Sequence, residues 1–174
     1  MHQGYRGEEA TLEILDRFAR FGLPLHMTET SLVSGHVMPP EIEDLNDYRI
    51  DDWPSTEEGE ARQADELLRH YRTLIGHPSV EVVNYWGITD SGAWLGAPIG
   101  LLRRDGSRKP GFDALHGLIK GEWWLPRTTL RTDGDGRVRF SGFAGEFAVA
   151  SAGAEAVVPL AAGTTTTTVR LAAV

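Results

Sequence analysis

The sequence predicts an α/β unit built on a parallel sheet, followed by a small antiparallel β module. Two observations carry this. From Glu8 to Ile119, segments of helical and strand character alternate in the order helix, strand, helix, strand, helix. That order places parallel strands side by side with the helices outside them. After Trp123-Trp124-Leu125-Pro126 the composition changes to short alternating runs separated by glycine turns, the pattern of hairpins. The boundary falls between residues 124 and 125, giving units 1–124 and 125–174.

The first helix is expected over Glu8 to Phe21. Leu12, Leu15 and Phe18 recur at helical spacing, with Ile14 and Phe21 one turn offset, while Glu13, Asp16 and Arg20 face away. Gly22 is placed to end it. Leu23 to Glu29 then has strand length. Residues 34–54 are polar, with Pro39, Pro40 and many carboxylates, and are read as a long βα loop able to fold over a cleft as a lid. Ser55-Thr56-Glu57-Glu58 has the form of a capping box and opens a helix to about Ile75, with Ala61, Ala64, Leu67, Leu68, Tyr71 and Leu74 as its buried side. A second strand follows at Val80 to Gly87, rich in β-formers. A glycine-rich loop leads through Trp94 to Leu102, and Lys109-Pro110-Gly111 starts a shorter helix closed by Gly121. In the tail, strands are expected at 128–132, 137–140, 146–150, 156–160 and 164–171, forming a small sandwich-like module. The threonine run 164–168 reads as a β-branched strand in preference to a linker.

Composition excludes several classes of function. The chain has 174 residues and a formal net charge of −8, without the basic footprint that nucleic acid requires. With no cysteine, neither disulfides nor thiolate metal sites are possible. No apolar run approaches membrane-spanning length, and the first residues lack the apolar core of a signal peptide. The spacing of the six histidines makes no metal set. The acidic loop residues Glu41, Glu43, Asp44, Asp47, Asp51 and Asp52 lack the central glycine of an EF-hand and read as solvated. No metal and no cofactor are expected.

The chemistry is expected at the C-terminal ends of the strands, where parallel βα folds place their sites. Glu29 ends the first strand; Trp86 and Asp90 end the second or lie just beyond it. A carboxylate beside converging indoles suits a sugar: the indole stacks on the C–H face of a pyranose while the carboxylate meets the anomeric carbon.

At these residues the sequence resembles glycoside hydrolase family 10, the endo-1,4-β-xylanase family. Gly22-Leu23-Pro24-Leu25-His26-Met27-Thr28-Glu29 is similar to that family's nucleophile segment. His77-Pro78-Ser79-Val80 through Val83, then Trp86-Gly87-Ile88-Thr89-Asp90 and Trp94-Leu95, is similar to its last strand and loop. Leu101-Leu102, Asp105 and Lys109-Pro110 resemble the approach to its final helix. The resemblance covers residues 1–124. It implies the C-terminal portion of a (β/α)₈ TIM barrel and a retaining mechanism on β-1,4-xylan or a similar plant polysaccharide. Glu29 would be the nucleophile, Trp86 and Trp94 the walls of sugar subsites, and Asp90 a substrate contact or a turn cap. His2 would stand at, or just past, a histidine that hydrogen-bonds the nucleophile. Thr30 and Ser31 depart from the family, which follows its glutamate with an aliphatic residue and then Asp or Asn. The family's acid/base follows an asparagine, and no Asn-Glu pair occurs in the sequence. A (β/α)₈ barrel needs at least about 200 residues, so strands one to five are expected to be missing and the chain to be inactive alone. Action on a polymer implies an extracellular or periplasmic place for the full-length protein.

Plainer readings stand beside these. Glu29 would otherwise pair with an arginine, and Trp86 would be core. His26 reads as a satisfied core histidine, and His36, His70, His77 and His116 as loop or helix-surface residues. Trp123-Trp124 packs the tail against the barrel or forms a sugar platform. The rival function is a non-catalytic carbohydrate-binding protein, a degenerate barrel that kept its tryptophans and lost its chemistry.

Overall fold

The computed structural model describes residues 4–163 and 166–170. These divide into two compact units, the first ending at Ile119 and the second beginning at Lys120.

In the first unit, helix α1 spans Glu8–Ala19. Two glutamates in its first turn meet the positive end of the helix dipole, and the Thr11 hydroxyl donates back to the Gly7 carbonyl at 2.7 Å. The helix stops two residues before Phe21, and Gly22, at φ 67°, turns the chain out of it. Only Thr11 and Leu15 of α1 are buried; Ile14, Phe18, Phe21 and Leu23 are exposed. Strand β1 (Leu25–Thr30) pairs in parallel with β2 (Val80–Tyr85), with irregular register after Leu25 and after Met27. Among the described residues this sheet has two strands, so the fold is mixed helix and strand with a βαβ step at its centre, not a closed barrel.

Helix α2 (Glu57–Gly76) makes that crossover. Thr56 is its cap, accepting the Gly59 N–H at 3.0 Å, one residue later than a box of Ser55 and Glu58 requires. Ser55 instead donates to the carboxylate of Glu60 at 3.0 Å. The buried face of α2 also departs from the apolar pattern. It contains Leu67, Tyr71 and Leu74, but equally Gly59, Glu60, Gln63, His70 and Thr73, while Ala61 is exposed. His70 is therefore interior and not on the helix surface. His77 is interior too, 3.3 Å from Asp16. His26 reverses the other way: it is exposed, with its nearest charge Glu81 at 3.9 Å.

The loop after β1 is packed. Val33, Met38 and Trp53 bury themselves with Ala97 and Ile99 of the loop after β2, and Tyr48, Ile50 and Ala93 pack around them. A buried side chain of the Ile or Met type contributes roughly 1.5–3 kcal/mol, so several together hold residues 33–53 down against the lid behaviour expected of them. The acidic residues Glu41, Glu43, Asp51 and Asp52 stay on the exposed side. Helix α3 (Pro110–His116) begins with proline at its first turn and passes into a π-helical segment, Gly117–Glu122.

In the second unit, β3 (Gly145–Ser151) and β4 (Ala154–Leu160) form an antiparallel hairpin. Ala152 and Gly153 turn it, both at positive φ (51° and 84°), which matches the right-handed strand twist. The runs 128–132 and 137–140 are not strands. Asp133 makes the expected turn, accepting the N–H groups of Asp135 and Arg137, but Leu130, Val138 and Phe140 on its flanks stay exposed. An alternating run without a surface to cover it has too little burial to hold a ladder. Residues 166–168 of the threonine run are likewise outside any strand, and residues 164, 165 and 171 lie outside the described residues. Among the described residues the module is a hairpin with irregular flanks, not a sandwich. Trp123 meets Phe143 edge-on at 5.8 Å and the Lys120 ammonium sits 4.1 Å over Trp124, so the tryptophan pair belongs to the second unit rather than to the end of the first.

Candidate active site

Because β1 and β2 run parallel, their C-terminal ends reach the same edge of the sheet. Glu29 is the penultimate residue of β1 and is exposed. Trp86 follows β2 directly; its backbone N–H donates to the Thr30 carbonyl at 2.9 Å, which ties the indole-bearing residue to the neighbour of Glu29. Trp86 is 51% exposed and Trp94 49% exposed, so neither is core. Thr30 and Ser31, where the sequence departs from the family pattern, are buried. Among the described residues no hydrogen bond or ion pair holds the Glu29 carboxylate, and the arginine pairing considered for it is absent.

Trp94 sits in a short 3₁₀ turn, Trp94–Gly96. Leu95 within that turn has φ 58°, a left-handed conformation that a branched residue adopts only where its surroundings impose it. Gly87, at φ 79°, is needed for the same loop: a Cβ there would lie 2.9 Å from the Ile99 side chain. The loop that carries Trp94 thus folds back over the exit of β2.

Asp90 is 6% exposed and faces inward. Its carboxylate accepts the Lys109 ammonium at 2.7 and 2.8 Å and the Gly100 N–H at 2.8 Å. Of the two roles open to Asp90 from the sequence, this geometry is that of a loop anchor. His2 lies outside the described residues. The sequence placed Glu29 and Trp86 at strand ends, and the parallel pairing of β1 with β2 sets both at one edge; it did not single out Lys109, which is fully buried and was visible only as half of a Lys-Pro pair.

A second polar cluster lies at the start of α2. The Glu60 carboxylate, buried at the start of α2, receives two N–H groups of Arg103, one of them Nε at 2.9 Å, and this contact holds the Arg103 guanidinium firmly charged. Tyr85 donates its hydroxyl to the Ile99 carbonyl at 2.5 Å, and burial pushes its pKa up, so it stays a neutral donor. A cavity of about 300 Å³ lies between Trp53, Ser55, Glu60, Asp90 and Arg103. Glu29, Trp86 and Trp94 do not line it; they stand on open surface.

No family model matches the chain. It is 30% identical over 100 residues to anti-sigma-I factor RsgI6 of Acetivibrio thermocellus, a match covering 58% of this chain and 13% of that protein. Its fold is similar to xylanase 10B of Thermotoga petrophila RKU-1, solved with xylobiose (TM-score 0.51, 17% identity, 70% of this chain and 34% of that one). It is similar to native xylanase 10B of Thermotoga maritima to the same extent (TM-score 0.51, 18% identity, 70% and 34%). A family 10 endoxylanase from a sugarcane soil metagenome also resembles it (TM-score 0.50, 18% identity, 67% and 40%). The chain thus has a fold like that of these xylanases over some two thirds of its length, and it spans well under half of each of these four proteins.

Proposed function

We propose that this chain is the nucleophile-bearing portion of a retaining glycoside hydrolase acting on β-1,4-xylan or a similar plant polysaccharide. The observation that carries the reading is the placement of Glu29 and Trp86 at one strand edge, with Trp86 backbone-bonded to Thr30, in a fold shared with xylanases. Trp86 and Trp94 offer indole faces to successive sugar rings. The Glu29 carboxylate attacks the anomeric carbon and the glycosidic C–O bond breaks. A second carboxyl group protonates the departing oxygen, and water then releases the sugar from Glu29. In this reading the second group is supplied by sequence outside this chain, which holds no Asn-Glu pair. The full-length protein would work outside the cytoplasm, where the polymer is.

The test is the coding sequence upstream of Met1 together with the protein it specifies. An in-frame strand ending in Asn-Glu, and xylan hydrolysis abolished by Glu29→Gln, are the expected results. Reducing sugar released from xylan by the 174-residue chain alone would contradict the division of labour proposed.

The relative named anti-sigma-I factor favours a second reading, a regulatory protein whose exposed Trp86 and Trp94 bind carbohydrate without cleaving it. Calorimetry with xylo-oligosaccharides separates the two: binding without turnover in the full-length protein supports recognition alone.

A further inference from the structure

We infer that Lys109 is a positioning residue that sets the place of Trp94 by clasping the two ends of its loop to the loop that leaves β1. The Lys109 side chain is fully buried. Its ammonium donates to both oxygens of Asp90, at 2.7 and 2.8 Å, and to the Ser34 hydroxyl at 2.8 Å. Asp90 in turn accepts the Gly100 N–H, so residues 90 and 100, which bracket the loop carrying Trp94, are joined through one carboxylate. Gly100 permits this closeness, because a Cβ there would fall 2.5 Å from the Asp90 nitrogen. Ser34 completes the clasp: its N–H and its hydroxyl both donate to the Pro98 carbonyl, at 2.9 and 2.8 Å. The Lys109 N–H donates to the Leu101 carbonyl at 2.9 Å, fixing the start of α3 to the same point.

Three chain segments therefore converge on one ammonium group: the exit of β1 beyond Glu29, the loop of Trp94, and the head of α3. A buried ammonium without its carboxylate is strongly unfavourable, so the pair holds its geometry while either member would be costly alone. Burial lowers the Lys109 pKa from its ordinary value, and Asp90 opposes that shift without cancelling it. The sugar-binding consequence of the clasp rests on the reading of Trp86 and Trp94 as subsite walls; the clasp itself does not.

The experiment uses the 174-residue chain labelled with 5-fluorotryptophan. Each of the five tryptophans gives a fluorine resonance, and the line lost in Trp94→Phe identifies Trp94. The double variant Lys109→Met with Asp90→Asn removes both charges together and avoids stranding either. In it the Trp94 line is expected to shift or broaden, while those of Trp123 and Trp124 stay in place, and xylo-oligosaccharide affinity is expected to fall about fivefold, the worth of one displaced aromatic contact. Ser34→Ala, which removes one of the three acceptors, is expected to move the same line less; this milder variant decides the matter if the double variant does not fold. A Trp94 line that coincides with the native one in the folded double variant, or in Ser34→Ala, overturns the inference. If the Trp94 line moves and the unaltered protein binds no xylo-oligosaccharide, the clasp stands and the sugar reading fails.

Discussion

Gly59 and Gly76 are both glycines of α2, and their replacement by alanine is predicted to have opposite effects. At Gly59 a Cβ would lie 2.1 Å from the Ser34 carbonyl oxygen and 2.8 Å from the Thr56 cap oxygen. The first contact is with backbone, and that same carbonyl accepts the Thr56 N–H at 2.9 Å, so neither side can yield cheaply. Overpacking of this kind costs typically 1–3 kcal/mol, and a backbone clash belongs at the upper end, about 3 kcal/mol. Alanine recovers up to ~1 kcal/mol of helix propensity. The expected net loss is about 2 kcal/mol. At Gly76 nothing lies within 4 Å of the added methyl, and only the propensity gain of up to ~1 kcal/mol remains. Urea unfolding of the two variants measures the contrast. With a slope of about 2 kcal/mol/M, Gly59→Ala moves the midpoint down by roughly 1 M, and Gly76→Ala moves it slightly up. A Gly59→Ala midpoint equal to the native one refutes the claim that the β1 exit loop rests on the first turn of α2.

Burial lowers the pKa of His70 to about 4 from an ordinary 6.5. Between these values the unfolded chain holds a proton that the folded chain refuses, so stability is full above pH 6.5 and falls as the pH drops toward 4, by up to ~3 kcal/mol. In His70→Leu that part of the acid dependence should vanish; unfolding midpoints between pH 4 and 7 show whether it does. Leu67, fully buried on α2, should lose 2–5 kcal/mol as alanine, read as a lowered urea midpoint with the same slope. Trp86→Ala should weaken xylo-oligosaccharide binding by about 1 kcal/mol without shifting the unfolding midpoint, because the indole is half exposed; calorimetry and urea unfolding together check both halves of that statement.

The order of α1, β1, α2, β2 and α3 was legible because apolar spacing and glycine punctuation are local signals, and each element appears within a few residues of its expected bounds. The buried face of α2 was not legible in the same way. His70 read as a surface residue, and Glu60 and Gln63 were not among the apolar positions expected on the buried side, yet Arg103 neutralises Glu60, and Gln63 donates to the Leu32 and Gly100 carbonyls. Their burial depends on partners distant in sequence. The loop 34–54 read as polar because its six carboxylates are interspersed with its seven apolar residues without any period, yet Met38 and Trp53 reach the core and Val37, Ile42, Leu45, Tyr48 and Ile50 pack against it. In the tail, alternation predicted strands that lack a surface to cover, and among the described residues only the hairpin of β3 and β4 formed. At the candidate site, Glu29 and Trp86 were singled out by their place at strand ends. Lys109 was not, because a lysine buried among Asp90 and Ser34 gives no periodic signal.

The central claim is that Glu29 bonds to the anomeric carbon. A 2-deoxy-2-fluoro-xylobioside with a dinitrophenolate leaving group needs no acid catalyst and traps the glycosyl-enzyme. Incubated with the full-length protein and followed by peptide mass spectrometry, it is predicted to add one glycosyl unit to the peptide containing Glu29, and none in Glu29→Gln. A label on a different carboxylate, or undiminished labelling of Glu29→Gln, would contradict the account.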